Sequence, residues 1–298
     1  MNSGPAAWVL AAGALLASGC AAPRAEGAPP QRGPGARLQE PPPADAAEEG
    51  GTRVTPFPRD GFLYDPYLAA PRQSLTGSKF LFPLEAGEHV RVENALGLAR
   101  SVVRWDTEED PASGTEVQIE GAVFARFDLH ERWDLDAADF RFGIPVAHRE
   151  GDVAWKIHLY HLTSHLGDEF IERTGGRVVP YHLEEASAGV SWDVADGTRL
   201  YGEGGVAVYA SRPTGNGRLE AGYEWVGVRG SLGLSPYVAL DVQARNEQDW
   251  VPGKSLAVGA AYGRDARFSV ELYHGRDPQT QFLGDNVFFL SVGFAVAF

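Results

Sequence analysis

Apolar and polar residues alternate along most of the chain from about Ser78 onward. Between Glu116 and Asp128, for example, Val117 and Phe127 belong to a set of apolar or small residues at every second position. The same alternation recurs near residues 140–146, 218–225, 234–245 and 267–273. A period of two is that of a β-strand with one apolar and one polar face. The chain is therefore predicted to be all-β.

A water-soluble β-sandwich and a transmembrane β-barrel both produce this alternation, and the last strand favours the barrel. Its unbroken apolar face consists of Phe288, Leu290, Val292, Phe294, Val296 and Phe298. A terminal aromatic strand of this kind resembles the assembly signal of bacterial outer-membrane barrels. The predicted partners are therefore the barrel-assembly machinery, through the strand ending at Phe298, and outer-membrane lipids with lipopolysaccharide.

The connections between predicted strands differ in length at the two ends. Short connections at one end are predicted at residues 149–152, 195–198, 230–233 and 264–265. Longer ones at the other end are predicted at residues 166–178, 211–216, 247–253 and 276–285. Short periplasmic turns and long external loops are typical of outer-membrane barrels. The connection at 107–114 is an exception, because it is long and lies on the short side.

Three tryptophans, Trp155, Trp192 and Trp225, fall on the apolar faces of three strands and towards the same predicted end. Tryptophan is enriched at the boundary between a membrane and water, so these side chains predict an aromatic girdle. The predicted fold class is thus an all-β, transmembrane antiparallel β-barrel of about twelve strands. It occupies residues 78–298, and residues 51–77 form an N-terminal extension.

The polar faces of the strands carry both signs of charge, which affects what the barrel can transport. The lumen is predicted to carry Arg and Glu together, for instance Arg199 with Glu203 and Arg126 with Glu120. Mixed charges favour a salt-bridged plug over a general porin. A narrow transport pore stays open as an alternative.

The N-terminus has the features of an exported protein. The apolar run at residues 6–17 is too short to span a bilayer as a helix, so residues 1–20 are predicted to be a signal peptide. Cys20 is the single cysteine, and it is either the lipidated residue of a lipoprotein or part of an ordinary signal peptide. Residues 21–50 are rich in Ala, Pro, Gly and Glu and are predicted to be a disordered linker. The predicted localisation is the bacterial outer membrane.

The charge of the chain limits its partners. The formal net charge is -14 and the isoelectric point is about 5.0, which argues against binding to a nucleic-acid backbone. The charged residues are spread through the chain rather than gathered in a tail. The acidity therefore identifies no other partner.

A run of polar residues interrupts the apolar, lipid-facing side of the predicted strand at 153–165. His161 and Thr163 lie on that side, and Glu184 lies outward on the next strand, where it is predicted to be nearly level with Thr163. A hydroxyl, a histidine and a group that orients the histidine form a hydrolytic triad in outline. The alternative is a polar rim where the strands leave the membrane.

The same strand presents other polar side chains to the lumen and the loop. His158, Tyr160 and Ser164 face the lumen and are predicted to form a structural hydrogen-bond network. Asp168 and Glu169 follow the strand and are candidate calcium ligands, since calcium prefers oxygen donors. The alternative is a solvated acidic loop, and no other cofactor is predicted.

Four sequence segments resemble a bacterial family known as domain of unknown function twelve-oh-seven. They are Leu63 to Ala69, Glu120 to Arg126, Tyr160 to Glu169 and Leu200 to Glu203. The resemblance extends from Phe57 to the C-terminus. It implies an envelope barrel and brings no established activity.

A second resemblance, in architecture, is to outer-membrane phospholipase A. That family has a twelve-stranded barrel, with a His and a Ser two apart on the outer face of the fifth strand and an Asn on the sixth. Residues 153–165 are the fifth predicted strand and 179–193 the sixth. The resemblance implies His161 as the base, with Thr163 in place of serine and Glu184 in place of asparagine. The calcium dependence of that family transfers only to Asp168 or Glu169.

Three hypotheses about function therefore stand. The protein is a structural or assembly barrel with a plugged lumen, an outer-leaflet lipid hydrolase of the phospholipase A or lipid A deacylase kind acting through His161 and Thr163, or a narrow transport pore. Conductance separates the third from the others, and lipid hydrolysis identifies the second.

Overall fold

The computed structural model describes residues 51–59, 61–178, 180–211, 216–264 and 266–297. The predicted signal peptide, Cys20, the predicted linker and Phe298 lie outside these residues. Among the described residues, no helix is long and apolar enough to cross a membrane.

Within the described ranges the chain forms one antiparallel sheet of thirteen strands. The strands are β1 Thr52–Pro56, β2 Thr76–Pro83, β3 Arg91–Thr107, β4 Gly114–Asp128, β5 Asp134–Glu150, β6 Val153–Leu166, β7 Tyr181–Ala195, β8 Thr198–Ala210, β9 Gly217–Val226, β10 Ser235–Arg245, β11 Gly253–Tyr262, β12 Ala266–Arg276 and β13 Asn286–Val296. A short helix, α1 (Asp168–Thr174), follows β6, and single 3₁₀ turns occupy Asn246–Gln248 and Thr280–Phe282.

Strands β2 to β13 close into a barrel of twelve strands. Each strand pairs with its neighbour in sequence, and β13 pairs with β2 to complete the ring. Strand β1 pairs with the last part of β3, from Val103 to Thr107, whereas β2 pairs with the first part, from Arg91 to Ala95. The two short strands therefore follow one edge of β3 in turn. The predicted all-β barrel of about twelve strands is confirmed.

Several connections are shorter at one end of the barrel than at the other. Those at 108–113 and 227–234 on the shorter side nevertheless have six and eight residues, so the short connection predicted at 230–233 is wrong. Two-residue turns at 151–152 and 196–197 join β5 to β6 and β7 to β8. Gly151 and Gly197 take positive φ angles of 56° and 68° there, which glycine adopts without steric cost. At the opposite end α1 lies between β6 and β7, and a nine-residue connection, 277–285, joins β12 to β13. We call these the short-turn end and the long-loop end.

The wall is apolar outside and polar inside. Val258, Val270 and Val292 are neighbours on β11, β12 and β13, and they are 45–51% exposed on the outer face. Glu116 and Asp241 are 0% and 2% exposed on the inner face. A water-soluble sandwich would bury the valines and expose the carboxylates. The arrangement is that of a barrel whose outer surface contacts lipid.

Tryptophans surround the short-turn end. Trp155, Trp192 and Trp225 all point outward, as predicted, and are 40–53% exposed. The Cα register sets Trp192 opposite Val153 and Trp225 opposite Thr198. Trp105, near the end of β3, joins the same girdle and is 38% exposed. Aromatic side chains at this level are expected where a barrel wall leaves the hydrocarbon region.

Substituting an outward valine with arginine tests the membrane-facing surface. Val270→Arg places a charge at the middle of β12, near the bilayer midplane. It should lower the free energy of unfolding by about 2–4 kcal/mol. The matched variant Val153→Arg places the charge at the level of the tryptophan girdle and should lower the free energy of unfolding by only about 0–1 kcal/mol. Chemical unfolding in lipid vesicles measures both. Equal costs for the two variants would contradict a membrane-facing wall.

Candidate functional site

A segment of the N-terminal extension lies inside the barrel. The chain leaves the wall after β1, passes through the lumen and returns as β2 at Thr76. We call residues 57–59 and 61–75 the plug segment. Within it Leu63, Tyr67 and Ala69 are 1–2% exposed. A run with no alternation in its sequence therefore fills the barrel.

Buried carboxylates of the wall hold the backbone of the plug segment. Leu63 N–H donates to Glu116 at 2.7 Å, and Leu68 N–H donates to Glu224 at 2.6 Å. Arg199 pairs with the same Glu224 and donates to two carbonyl oxygens of the plug segment, each at 3.0 Å. Buried backbone groups without partners are costly, so these bonds stabilise the plug segment in the lumen.

Tyr67 joins the plug segment to the main charge cluster of the lumen. Its hydroxyl donates to Glu203 at 2.9 Å, and its ring stacks on Tyr201 with centroids 3.8 Å apart. Glu203 also pairs with Lys156 at 2.8 Å and with Arg218. Removal of Glu203 would break the buried ion pair of Lys156, at a cost of several kcal/mol.

The lumen carries both signs of charge, as predicted, and the strand register decides which charges pair. Arg199 pairs with Glu224 rather than Glu203, because residues four apart on a strand lie about 13 Å apart whereas register partners on adjacent strands are neighbours. Arg126 likewise does not pair with Glu120. Its guanidinium binds Asp277 at 2.6 Å, a residue of the 277–285 connection.

The 277–285 connection folds into the long-loop end and contacts the plug segment. Gln279 is 0% exposed and accepts a hydrogen bond at 2.7 Å from Arg72 of the plug segment. Thr280 donates to the buried Asp139 at 2.8 Å. Burial and the neighbouring Asp277 raise the pKa of the Asp285 carboxyl. Plug segment and connection thus meet inside the barrel, and the lumen is filled rather than open.

The predicted lumen residues of β6 do face inward, and each has its own partner on the wall. His158 lies 3.3 Å from Glu120. Tyr160 accepts from Arg245 at 3.4 Å, and Ser164 donates to Asp139 at 2.5 Å. They belong to the lumen network rather than to a separate site. The partner of Ser164 is the same carboxylate that Thr280 binds.

The candidate calcium ligands lie on the first turn of α1 at the long-loop end. Asp168 and Glu169 are both exposed there. Among the described residues, the group able to hold a metal ion is elsewhere, and neither residue belongs to it. A calcium role for these two side chains stays a prediction.

On the outer wall the structure brings His161 and Glu184 together. They are register partners on β6 and β7, and the distance from His161 Nδ1 to Glu184 Oε1 is 2.6 Å. Each side chain is 44% exposed. A carboxylate that accepts the Nδ1 proton fixes the imidazole orientation and leaves Nε2 as a proton acceptor.

Thr163 lies two residue pairs further towards the long-loop end, on the same outward face. Its register partner is His182, not Glu184 as predicted from the level of the tryptophans. The prediction took Trp155 and Trp192 as level, but the strands are staggered and Trp192 lies opposite Val153. His161 and Thr163 share one face of β6, with Cα atoms about 6.6 Å apart.

His182 is a functional candidate that sequence reasoning left out. It lies two residues before Glu184 on the same outward face of β7 and is exposed. Because alternate residues of a strand share a face, its spacing of two from Glu184 could have identified it from the sequence. We call His161, Thr163, His182 and Glu184 the outer-wall cluster. Phe140 and Phe142 of β5 border it, opposite Thr163 and His161, and are 42% and 54% exposed.

The closed ring, the apolar exterior and the charged lumen define a β-barrel of the outer-membrane type. Residues 33–298 match the family described as Protein of unknown function (DUF1207), and the chain belongs to this family. No curated protein matches it.

Solved outer-membrane barrels have a similar fold. Outer membrane phospholipase A from Escherichia coli matches with a TM-score of 0.51 and 10% identity over 75% of this chain and 90% of that chain. The calcium-bound dimer of the Salmonella typhi outer membrane phospholipase gives 0.52 and 9%, over 78% and 93%. A triple mutant of the Rhodopseudomonas blastica porin gives 0.32 and 8%, over 74% and 98%. At such identities the likeness to the two phospholipases shows the fold alone.

Truncation tests whether the plug segment closes the lumen. A chain that begins at Gly51 keeps the plug segment and should show no conductance steps in a planar bilayer. A chain that begins at Thr76 loses it and should show discrete, ohmic steps, because water and ions then occupy the vacated lumen. Similar conductance from both refolded chains would contradict closure by this segment.

Proposed function

We propose that this protein is an ester hydrolase of membrane lipids that works on the outer wall of a closed barrel. The observation that carries the proposal is the 2.6 Å contact between His161 and Glu184, two residue pairs from Thr163 on the same outward face. A base, a group that orients it and a hydroxyl on one surface are the components of acyl transfer.

The proposed reaction has two steps. The Thr163 hydroxyl attacks the carbonyl carbon of an acyl ester while His161 Nε2 takes the hydroxyl proton. His161 then gives that proton to the leaving alcohol oxygen, and the acyl group remains bonded to Thr163. Water repeats the sequence with His161 as the base, which releases the fatty acid and restores the threonine. Glu184 orients the imidazole and stabilises its charged form.

The surroundings of the outer-wall cluster support a lipid substrate. The apolar side of the cluster, with Phe140 and Phe142, suits an acyl chain lying along the barrel wall. Polar residues on a lipid-facing wall are costly unless they are near the interface or have a function. The barrels of similar fold include enzymes named as phospholipases, which favours a phospholipid or an acylated lipopolysaccharide as the substrate.

The proposal includes the cell location. Residues 1–20 would direct export, and Cys20 would carry a lipid if the segment is a lipoprotein signal. The apolar face of β13 would then guide the barrel-assembly machinery. A narrow transport pore is disfavoured by the filled lumen, in which Tyr67 and Gln279 are 1% and 0% exposed.

Calcium is an optional part of the proposal. The Salmonella typhi phospholipase dimer was solved with bound calcium. In this chain Asp168 and Glu169 would supply oxygen ligands just beyond β6, on the long-loop side of Thr163. Assays with calcium and with a chelator distinguish a calcium-dependent reaction from an independent one.

Fatty-acid release from phospholipid and lipopolysaccharide vesicles tests the proposal. Thr163→Ala should abolish release, because the nucleophile is lost. His161→Ala should lower the rate by about 10²–10⁴-fold, the usual contribution of a general base. Thr163→Ser should keep activity, since the hydroxyl remains and the crowding methyl group is removed.

His165→Ala is the matched control, because His165 is an exposed histidine on the same face of β6 but outside the outer-wall cluster. It should leave the rate unchanged. Folding of each variant is checked by its resistance to denaturant. No release from folded wild type in any lipid would overturn the proposal and leave a structural barrel with a polar rim.

A further inference from the structure

A second cluster of chemically active side chains lies at the long-loop end, apart from the outer-wall cluster. His89, His130 and Glu131 offer two imidazole nitrogens and a carboxylate oxygen, all within 4.8 Å of one another. The two histidine rings have centroids 4.2 Å apart and an interplanar angle of 35°. No residue of the proposed hydrolytic reaction belongs to this group.

The barrel register brings these residues together. Arg91 at the start of β3 lies opposite Asp128 at the end of β4. His89 precedes Arg91 by two residues and His130 follows Asp128 by two, so the 84–90 and 129–133 connections meet side by side. A hydrogen bond at 3.1 Å from Leu129 N–H to the Val90 carbonyl extends the pairing into the loops.

Asp128 organises the cluster. One of its oxygens lies 3.4 Å from His89 Nδ1, which leaves Nε2 of that ring for a ligand. Its other oxygen accepts from His130 N–H at 2.8 Å and from Glu131 N–H at 3.3 Å, so it holds the turn that carries both residues. A carboxylate that fixes a histidine in this way is the usual companion of a metal-bound imidazole.

We infer that His89, His130 and Glu131 form a binding site for a zinc ion at the long-loop end. Two imidazoles and one carboxylate are a common zinc ligand set, and three protein ligands leave a fourth position open for water or another ligand. Zinc at about 2.0–2.1 Å from each donor would need the donors about 3.4 Å apart. Rotation of the half-exposed His89 and exposed His130 side chains brings them to that spacing.

The positive charge of Arg173 opposes the ion and provides a further test. Arg173 of α1 lies 3.7 Å from Glu131 Oε1 and 3.9 Å from Asp128 Oδ2. Glu131 has a second oxygen free to bind zinc. The positive guanidinium should weaken binding, so Arg173→Gln should increase zinc affinity while the stoichiometry stays at one zinc per chain.

Zinc binding by the refolded full chain tests the inference, measured by competition with a chromophoric chelator. We expect one tightly bound zinc per chain in the wild type. His89→Ala, His130→Ala and Glu131→Gln should each weaken it by at least about 10-fold, the lower end of the 10–100-fold effect known for partners of metal ligands. Because Glu131→Gln keeps shape and size, it guards against loss of binding through misfolding.

The matched control is His161→Ala combined with His182→Ala, which removes two histidines of the outer-wall cluster. Zinc affinity should be unchanged in that variant, and cobalt in place of zinc should give the strong visible absorption of a four-coordinate ion. The inference is overturned if folded wild type binds no zinc. It is also overturned if the control weakens binding as much as His89→Ala does.

Discussion

The pairing of buried charges inside the barrel is the constraint on which the rest of the structure depends. A wall that presents apolar side chains to lipid must turn its polar side chains inward, and in a barrel of this size they have little room for water. Glu203, for example, forms ion pairs with Lys156 and Arg218 and accepts a hydrogen bond from the Tyr67 hydroxyl. Because an unpaired buried charge costs several kcal/mol, each buried carboxylate needs partners, and Arg72 of the plug segment adds one for Glu93 and Asp139. The plug segment thus supplies donors and acceptors to the lumen, so the N-terminal extension is part of the fold.

A filled lumen moves the candidate functions to the outside of the barrel. The outer-wall cluster lies on the lipid-facing surface of β6 and β7, and the zinc-site residues lie in two loops at the long-loop end. The ligands and reactive groups of these two proposed sites are not members of the ion pairs inside the lumen. The rigid wall fixes the His161–Glu184 pair through the strand register, since both residues belong to strands rather than loops. A site built on paired strands needs no ligand to assemble it.

The sequence predicts what depends on a period of two and fails where distant segments meet. Alternation identified the barrel, its strand count and the outward direction of His161, Thr163 and Glu184. It did not give the stagger between β6 and β7, because α1 and a long connection separate those strands, and so Thr163 was set level with the wrong residue. The plug segment has no periodicity, and its place in the lumen follows from hydrogen bonds to six different strands, β3, β4, β5, β8, β9 and β12. His89 and His130 are far apart in sequence and meet through the β3–β4 register, which no local pattern reveals.

Hydrogen exchange of the refolded chain tests most directly the claim that the plug segment is part of the folded lumen. Amides such as Leu63 and Leu68 donate to buried carboxylates, so they should open to solvent only when the barrel itself opens. Peptides from residues 61–75 should therefore exchange as slowly as peptides from the barrel strands, and far more slowly than those from the exposed connection at 108–113. If residues 61–75 exchange as fast as that connection, the segment does not occupy the lumen and the account fails.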